Sequence, residues 1–370
     1  INKQRMCLKL NSKIVGIIGG GQLGMMLAMA IKKLGGKVIG LDPNPKCSIT
    51  HVCDSFICAS YDDETTLRKL CEESDVVTYE FENIKGSHLK MLNDEFNIKQ
   101  GIKSLIDSQD RLIEKNTANK YGLKTAKYYK CDNEADLKEA VKNLGFPCIY
   151  KTRTEGYDGH GQVILKSEAD LELVRPYFNT KGIVEEFIKF DYEASVIMIG
   201  EGNNIVSLPV GHNIHKEGIL DICEVPFNDI NNIGPKMVEA SKKFMKEAGY
   251  KGILCIEYFV SGNEFYFNEM APRPHNSGHY SIEALDHSQY DLFARYLLDL
   301  PYEEPKIMHK SIMKNILGRD LINVDYYLKY PKSYLHMYFK EEARAKRKMG
   351  HITFLDMDLD TFMAIEKGME

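Results

Sequence analysis

Ile14-Val15-Gly16-Ile17-Ile18-Gly19-Gly20-Gly21-Gln22-Leu23-Gly24 runs an apolar strand into a Gly-x-Gly-x-x-Gly turn, and a second apolar run, "KVIGLD", ends on Asp42. That is the dinucleotide-binding fingerprint: glycines at the turn, a helix behind them, and an acid about 20 positions on. A helix N-terminus is a generic anion site, so the turn specifies a phosphate-friendly backbone rather than one ligand. Working outward, strand and helix patterns alternate over residues 13–100. "KIVGIIG", "KVIGLD" and "DVVTYEF" read as strands, and Leu23–Leu34 and Glu64–Glu73 as helices. Alternation of this kind predicts a parallel sheet covered on both faces.

Near residue 105 the texture changes. "DSQDRLIEKNTANKYGL" reads as a polar amphipathic helix with Asp107 or Ser108 as its N-cap. From about 145 the strands become hairpin-like, with helices expected over Gly234–Ala248 and Ser288–Leu298, and Pro301 and Pro305 mark a further boundary. The expectation is therefore α/β plus α+β in three units: 1–105, 106–304 and a small mixed unit, 305–370. A chain of 370 residues is too long for one core.

Composition bounds the function. With 44% hydrophobic and 27% charged residues and a net charge of -5, nothing global favours nucleic acid or a membrane surface. No apolar run reaches 18 residues, and "INKQRMCLKLNSK" lacks a secretory h-region, so a cytoplasmic location is expected. Nine cysteines without a C-x-x-C fit reduced thiols better than disulfides or structural zinc.

Four stretches could carry chemistry. "YKTRTEGYDGHGQVIL" (150–165) places Gly156, Gly159 and Gly161 in a loop between strands, with Lys151 leading in. Such a loop either lays backbone N–H groups on phosphate oxygens or is a plain surface hairpin; it lacks the G-K-[ST] step of a Walker A loop. "GILCIEYFVSGNEFYFNEM" (252–270) is a hairpin. A three-residue turn over Gly262–Glu264 pairs Ser261 with Phe265 and sets Glu257 opposite Glu269. Opposed carboxylates repel unless a cation lies between them, and magnesium takes one or two carboxylates plus phosphates, so Glu257, Glu269 and the adjacent Asn268 are metal candidates. Two ordinary surface acids remain the alternative. "NEMAPRPHNSGHYSIEA" (268–284) then brings Arg273, His275, Asn276 and His279 into a proline-stiffened loop. "FKEEARAKRKMGH" (339–351) concentrates Lys340, Arg344, Lys346, Arg347, Lys348 and His351, as a solvated face, a nucleic-acid patch or a local phosphate site.

Four motifs in order, "GGGQLG", "TYEFENI" (78–84), "GYDGHGQ" (156–162) and "NEMAPRPHNSGH" (268–279), make the chain resemble the ATP-grasp superfamily over nearly its full length. Within it the chain is similar to the N5-carboxyaminoimidazole ribonucleotide synthases. The resemblance implies an ATP-grasp fold whose N-terminal Rossmann-like domain serves substrate rather than NAD, with a small mixed C-terminal domain. It implies ATP and magnesium, bicarbonate and aminoimidazole ribonucleotide as small-molecule partners, and a homodimer. By the same resemblance, ATP would meet Arg111, Lys151, the loop Gly156, Tyr157, Asp158, Gly159, His160, Gly161 and Gln162, then Glu185, Glu186, Phe187 and Ile188, Glu193, His215, Asn268 and Glu269. Magnesium would sit on Glu257 and Glu269. Gln22, Leu23, Glu80, His275, Asn276, Lys340, Arg347 and Lys348 would hold the ribotide, while Tyr157, Asp158, Arg273 and Lys151 would face the chemistry. The chain departs from the family at Glu155, where a glycine is usual, and at His160, where lysine or arginine is common. A formate-activating glycinamide ribonucleotide transformylase shares the fold, the "APRPH" step and the basic tail, whereas "GYDGHGQ" and "HNSGH" favour the bicarbonate enzyme. An NAD(P) dehydrogenase leaves the facing glutamates and the basic tail unexplained. An inert ATP-sensing module is the third alternative.

Overall fold

The computed structural model describes residues 13–154, 156, 161–229 and 231–368. The first unit runs β1 (Ile14–Ile18), α1 (Gln22–Lys33), β2 (Lys37–Asp42), β3 (Ser55–Cys58), α2 (Glu64–Glu72), β4 (Val76–Tyr79) and α3 (Gly86–Asn93). Its strands lie parallel in the order β3-β2-β1-β4, with Gly16 opposite both Ile39 and Val77. The crossover that parallel neighbours demand is made by α1 between β1 and β2 and by α2 between β3 and β4, whereas β2 reaches β3 through a short 3-10 turn, Ser48–His51.

Two helices lead onward, α4 (Lys103–Ser108) and α5 (Arg111–Lys120). The long polar helix expected there is broken, and its cap is neither Asp107 nor Ser108. Asp110 caps α5, accepting from the N–H groups of Leu112 and Ile113. A short helix ahead of it consumes the earlier candidates.

A small antiparallel sheet follows: β5 (Tyr128–Cys131), β6 (Cys148–Thr152), β7 (Gln162–Leu165) and β8 (Gly182–Glu186) in the order β5-β8-β6-β7, backed by α6 (Glu134–Leu144). The larger sheet takes β9 (Tyr192–Glu201), β10 (Asn204–Ser207), β11 (Gly211–Lys216), β12 (Ile219–Val225), β13 (Lys251–Ser261) and β14 (Glu264–Ala271), with α7 (Gly234–Glu247) between β12 and β13. After α8 (Ser281–Ala284) and α9 (Gln289–Leu297) the chain adds β15 (Ser311–Leu317), α10 (Val324–Tyr327), β16 (Ser333–Met337), β17 (Lys348–Leu355) and α11 (Leu359–Lys367). These last three strands continue the same sheet, because β15 pairs with β12, giving β14-β13-β9-β11-β12-β15-β17-β16 with β10 on β9. The tail therefore shares a sheet with the central unit.

One apolar cluster ties the units together. It runs from Val15 and Leu27 of the first sheet and α1, through Phe293 and Leu297 of α9, to Ile197, Ile253 and Met313 of the large sheet. Gln100 adds a buried polar clip, donating from Nε2 to the carbonyls of Ile253 and Pro272 while its Oε1 accepts from Ile253 N–H. Relative movement of the first two units would strand these groups without partners.

Candidate functional site

The facing glutamates form as expected, by a different route. The β13–β14 turn is two residues long, with Ser261 opposite Glu264 and Gly262 at φ 58. That register alone would miss the Glu257–Glu269 pair by one residue. A β-bulge between Glu257 and Tyr258, with Asn268 the extra residue on β14, restores it, and Glu257 stands opposite Glu269. A bulge re-aims neighbouring side chains, which is why Asn268 and Glu269 both reach the cleft instead of alternating. Asn268 Oδ1 accepts from Lys151 Nζ at 3.4 Å, and Glu269 Oε2 pairs with Arg111 Nη1 at 3.0 Å.

Opposite this ladder, the small sheet presents Lys151 on β6 and Glu185 on β8. The Glu185 carboxylate lies 3.2 Å from Lys151 Nζ on one oxygen and 3.2 Å from Lys115 Nζ on the other. Lys115 also donates to the Asn268 carbonyl at 3.1 Å. Lys115 was not singled out from the sequence, although it stands four residues after Arg111 on the same face of α5. Burial, reinforced by the charges of Lys115 and Arg111, lowers Lys151 below the ordinary lysine value despite Glu185. Beneath them Glu114 is buried and accepts from Met270 N–H at 2.7 Å; desolvation pushes it up to about 8.

Gln162 is in register with Lys151, and Gly161 (φ 73) accepts from Thr152 N–H at 2.9 Å. A side chain at Gly161 would meet Thr152 Oγ1 at 2.4 Å, so this end of the loop requires glycine. Gly156 is half-buried; Tyr157, Asp158, Gly159 and His160 lie outside the described residues. After β8 the chain turns through Glu186, whose Oε2 accepts from Lys127 N–H at 3.4 Å, the exposed Phe187 and the half-buried Ile188 toward β9. On β9, Glu193 pairs with His215 of β11. Burial opposes charge on His215, but the hydrogen bond it donates to Glu193 and the charges of Glu257 and Glu193 outweigh it, raising its pKa.

Glu257 is balanced by His275 Nε2 at 2.9 Å. Desolvation acts to raise this carboxyl, but His275, His215 and Lys348 prevail and hold it at about 2. The donor set suits magnesium: two carboxylates on one ladder, next to a cluster of lysine and arginine suited to phosphates. No group of three or more His, Cys, Asp or Glu side chains among the described residues could hold a metal unaided. Phosphate oxygens would have to complete the sphere.

The glycine turn answers the dinucleotide question. Asp42 does not reach outward as a ribose acceptor. Its carboxylate accepts from Gly20 N–H at 2.7 Å, Tyr61 Oη at 2.6 Å and Asn44 N–H at 2.8 Å. Gly21 N–H is likewise taken by Glu80 Oε1 at 2.7 Å. Two of the turn's amides are thus satisfied by the protein's own acids, and a pyrophosphate would have to compete with them. Glu80 is buried; desolvation, only partly offset by Gly21 N–H and by the charges of Arg273 and Lys340, pushes it up to about 7. Gln22 is half-buried at the start of α1, whereas Leu23 packs its side chain into the core.

The basic tail folds over this turn. Ser48 Oγ donates to the Tyr338 carbonyl at 2.6 Å, and Lys46 pairs with Glu341 at 2.7 Å. Lys340 Nζ donates to the Lys348 carbonyl at 2.8 Å, and Arg347 Nη1 to the Glu342 carbonyl at 3.0 Å, closing the loop that carries all three cations. Arg273 makes a two-bond contact with Glu82, at 3.1 Å for each, so it clamps the "NEMAPRPH" loop to the first unit. Glu82 was not anticipated as its partner. Asn276 exchanges both amide atoms with Asn315, at 2.9 and 2.7 Å. Both amide atoms of this expected ribotide contact are thus already engaged by the protein itself.

The chain is similar to known proteins over nearly its whole length. Residues 12–109 match the ribonucleotide synthetase preATP-grasp domain, 116–290 the ATP-grasp domain and 311–364 the phosphoribosylaminoimidazole carboxylase C-terminal domain. An N5-carboxyaminoimidazole ribonucleotide synthase of Staphylococcus haemolyticus is 42% identical over 352 residues, covering 94% of this chain and 93% of its own. The N5-carboxyaminoimidazole synthetase of Staphylococcus aureus complexed with ADP superposes with a TM-score of 0.92 at 37% identity, over 96% of each chain. A synthase from Aspergillus clavatus, solved with ADP and 5-aminoimidazole ribonucleotide, gives 0.88 at 27% identity over 97% of this chain and 98% of its own. The fold is an ATP-grasp fold with an N-terminal parallel-sheet domain, as expected.

Proposed function

The chain belongs to the N5-carboxyaminoimidazole ribonucleotide synthase family, an ATP-dependent carboxylate–amine ligase family, and from that premise we propose that it carboxylates 5-aminoimidazole ribonucleotide with bicarbonate, at the expense of ATP, in purine biosynthesis. The observation that carries the reading is the convergence at the β14 bulge. Lys151 from the small sheet and Arg111 from α5 meet Asn268 and Glu269, opposite Glu257, within 3.0–3.4 Å.

Bicarbonate is a poor electrophile because resonance and charge shield its carbon. In the proposed reaction a bicarbonate oxygen attacks the γ-phosphorus of ATP, the bond to the β–γ bridging oxygen breaks, and carboxyphosphate and ADP result. The exocyclic amine then forms a C–N bond to the carboxyl carbon, or to CO2 released from it. The C–O bond to phosphate breaks, and the amine proton passes to the departing phosphate. Such a sequence depends on positioning and charge neutralisation more than on covalent catalysis.

This chain's own groups supply both. Arg111 and Lys151 meet the phosphates; Glu185, Glu186, Phe187 and Ile188 line the adenine slot; Glu193 takes the ribose, and His215 makes a further nucleotide contact. Lys115 keeps the Glu185 carboxylate paired. Glu257 and Glu269 would hold magnesium, which when bound neutralises phosphate charge. Gln22, Glu80, His275 and the cationic loop with Lys340, Arg347 and Lys348 hold the ribotide, with its 5′-phosphate on the cations. Arg273, tied to Glu82 and near Glu80, offsets the developing negative charge together with Lys151, while Tyr157 and Asp158 meet the imidazole or the activated carboxylate. Closure of the 156–162 loop excludes the water that would hydrolyse carboxyphosphate. A cytoplasmic homodimer completes the proposal.

The test is ADP release with aminoimidazole ribonucleotide, with and without bicarbonate, beside glycinamide ribonucleotide with formate. Bicarbonate-dependent turnover with the first amine is expected. Turnover confined to the formate pair would replace this reading with the transformylase.

A further inference from the structure

Behind the cleft, one ladder row of the large sheet is built from polar residues. Asn315 of β15 is in register with His351 of β17, and His351 with His336 of β16. Each member of the row engages one residue of the segment that follows the "NEMAPRPH" loop. Asn315 exchanges amide hydrogen bonds with Asn276. The His351 ring lies 4.5 Å, centroid to centroid, from that of His279. His336 Nε2 is 2.6 Å from Glu283 Oε1. Residues 276, 279 and 283 fall on one face because a 3-10 turn and α8 give that segment helical spacing.

The rings are tied further. Within the row His351 stacks on His336 at 4.6 Å and 10°. Tyr338 Oη lies 2.8 Å from His351 Nδ1, and Tyr290 Oη 3.2 Å from His279 Nδ1. Both His279 and His351 are fully buried, and burial lowers both well below the ordinary histidine value, reinforced at His279 by Lys348 and Arg273. The groups that act on His279 include His275, Lys348 and Arg273, so the stack lies against the cleft rather than remote from it. Along the chain, His351 follows Lys348 by three residues and His279 follows His275 by four. The Nε2 atoms of both rings have no partner among the described residues. A purely apolar spacer would serve packing equally well without that cost.

We propose that the row Asn315–His351–His336 sets the loop 273–284 against the C-terminal strand, making His351 a positioning residue that aligns His275 and Arg273 with Lys348 for the ribotide. It rests on the functional reading given above. Substrate affinity should then depend on the row.

The experiment compares His351→Phe, which keeps a stacking ring but loses both nitrogens, and Tyr338→Phe, which removes only the hydroxyl at His351 Nδ1. The readouts are the KM for aminoimidazole ribonucleotide, kcat, and the Kd for ADP by calorimetry. Each variant is expected to raise the ribotide KM about five-fold, the loss of roughly one neutral hydrogen bond, with the ADP Kd within about two-fold of wild type. Unchanged ribotide KM in both variants, or a parallel rise of KM and ADP Kd, overturns the proposal. If His351→Phe fails to fold, Tyr338→Phe alone decides. Failure of wild-type chain to release ADP in response to the ribotide would instead sink the functional reading.

Discussion

Glu185→Gln tests the charge balance of the nucleotide cleft most sharply. The Lys115, Glu185 and Lys151 side chains are 1, 3 and 5% exposed, and one carboxylate serves both ammonium groups at 3.2 Å. Breaking a buried pair by removing one partner costs roughly 3–5 kcal/mol, because a charge is left desolvated and unpaired. Glutamine retains one carbonyl oxygen able to accept from one lysine, which returns about 1 kcal/mol. The net loss at pH 7 should therefore be about 3 kcal/mol, a large share of a typical stability. Its pH dependence has a definite sign. Lys151 already lies below the ordinary lysine value, through burial first and then Lys115 and Arg111; without Glu185 it falls further. The unfolded chain then binds more protons than the folded one, so stability rises with pH and the deficit narrows between pH 7 and pH 9.5. Urea midpoints at both values, at constant m, measure it. Glu264→Gln is the control, since its pair with Lys124 is 53 and 58% exposed and screened by solvent, so its urea midpoint should barely move. A loss at pH 7 below about 1 kcal/mol, or one indifferent to pH, would show that Glu185 is not the counter-charge of the two lysines.

Gly20→Ala would bring a Cβ to 2.4 Å from Cys47 Sγ and 2.9 Å from Asp42 Cβ, so the turn must open; a loss of about 2 kcal/mol in thermal unfolding is expected, with ribotide KM rising more than ATP KM. Glu80 has a folded pKa of about 7, above the ordinary value, so its contribution is complete below about pH 4.5 and is lost as pH rises through 7. Glu80→Gln should accordingly gain on wild type by up to about 3 kcal/mol between pH 4.5 and 7.5 in denaturant titrations, and a constant difference would refute the assignment. Glu269→Gln should lower bicarbonate-dependent ADP release by about 10²–10³-fold while leaving the far-ultraviolet circular dichroism unchanged; full activity would remove the carboxylate pair from the mechanism.

Much of the scaffold was legible from local pattern. Strand–helix alternation predicts the first sheet, and "KVIGLD" and "IVGIIG" are adjacent parallel strands, with Ile18 opposite Leu41. The Ser288–Leu298 helix forms with Ser288 as its cap. The facing glutamates were also legible, but a three-residue turn is one residue longer than the turn that forms, and the bulge at Asn268 offsets the difference. Bulges depend on cross-strand geometry that composition does not encode. The cap of α5 was missed because three acceptors, Asp107, Ser108 and Asp110, compete within four residues, and only the break after α4 selects the last.

By itself the chain's order of residues determined which elements form, where glycine is obligatory, and that two acids of one hairpin would confront each other, since these follow from backbone periods and sterics acting over a few residues. Tertiary structure alone decided the partners: Asp42 on Gly20 and Tyr61, Lys115 on Glu185, Arg273 on Glu82, Asn276 on Asn315. Those pairs join residues 19 to 191 positions apart. A buried polar group takes whichever counterpart the packing of distant elements brings within about 3 Å, and no local pattern states that choice.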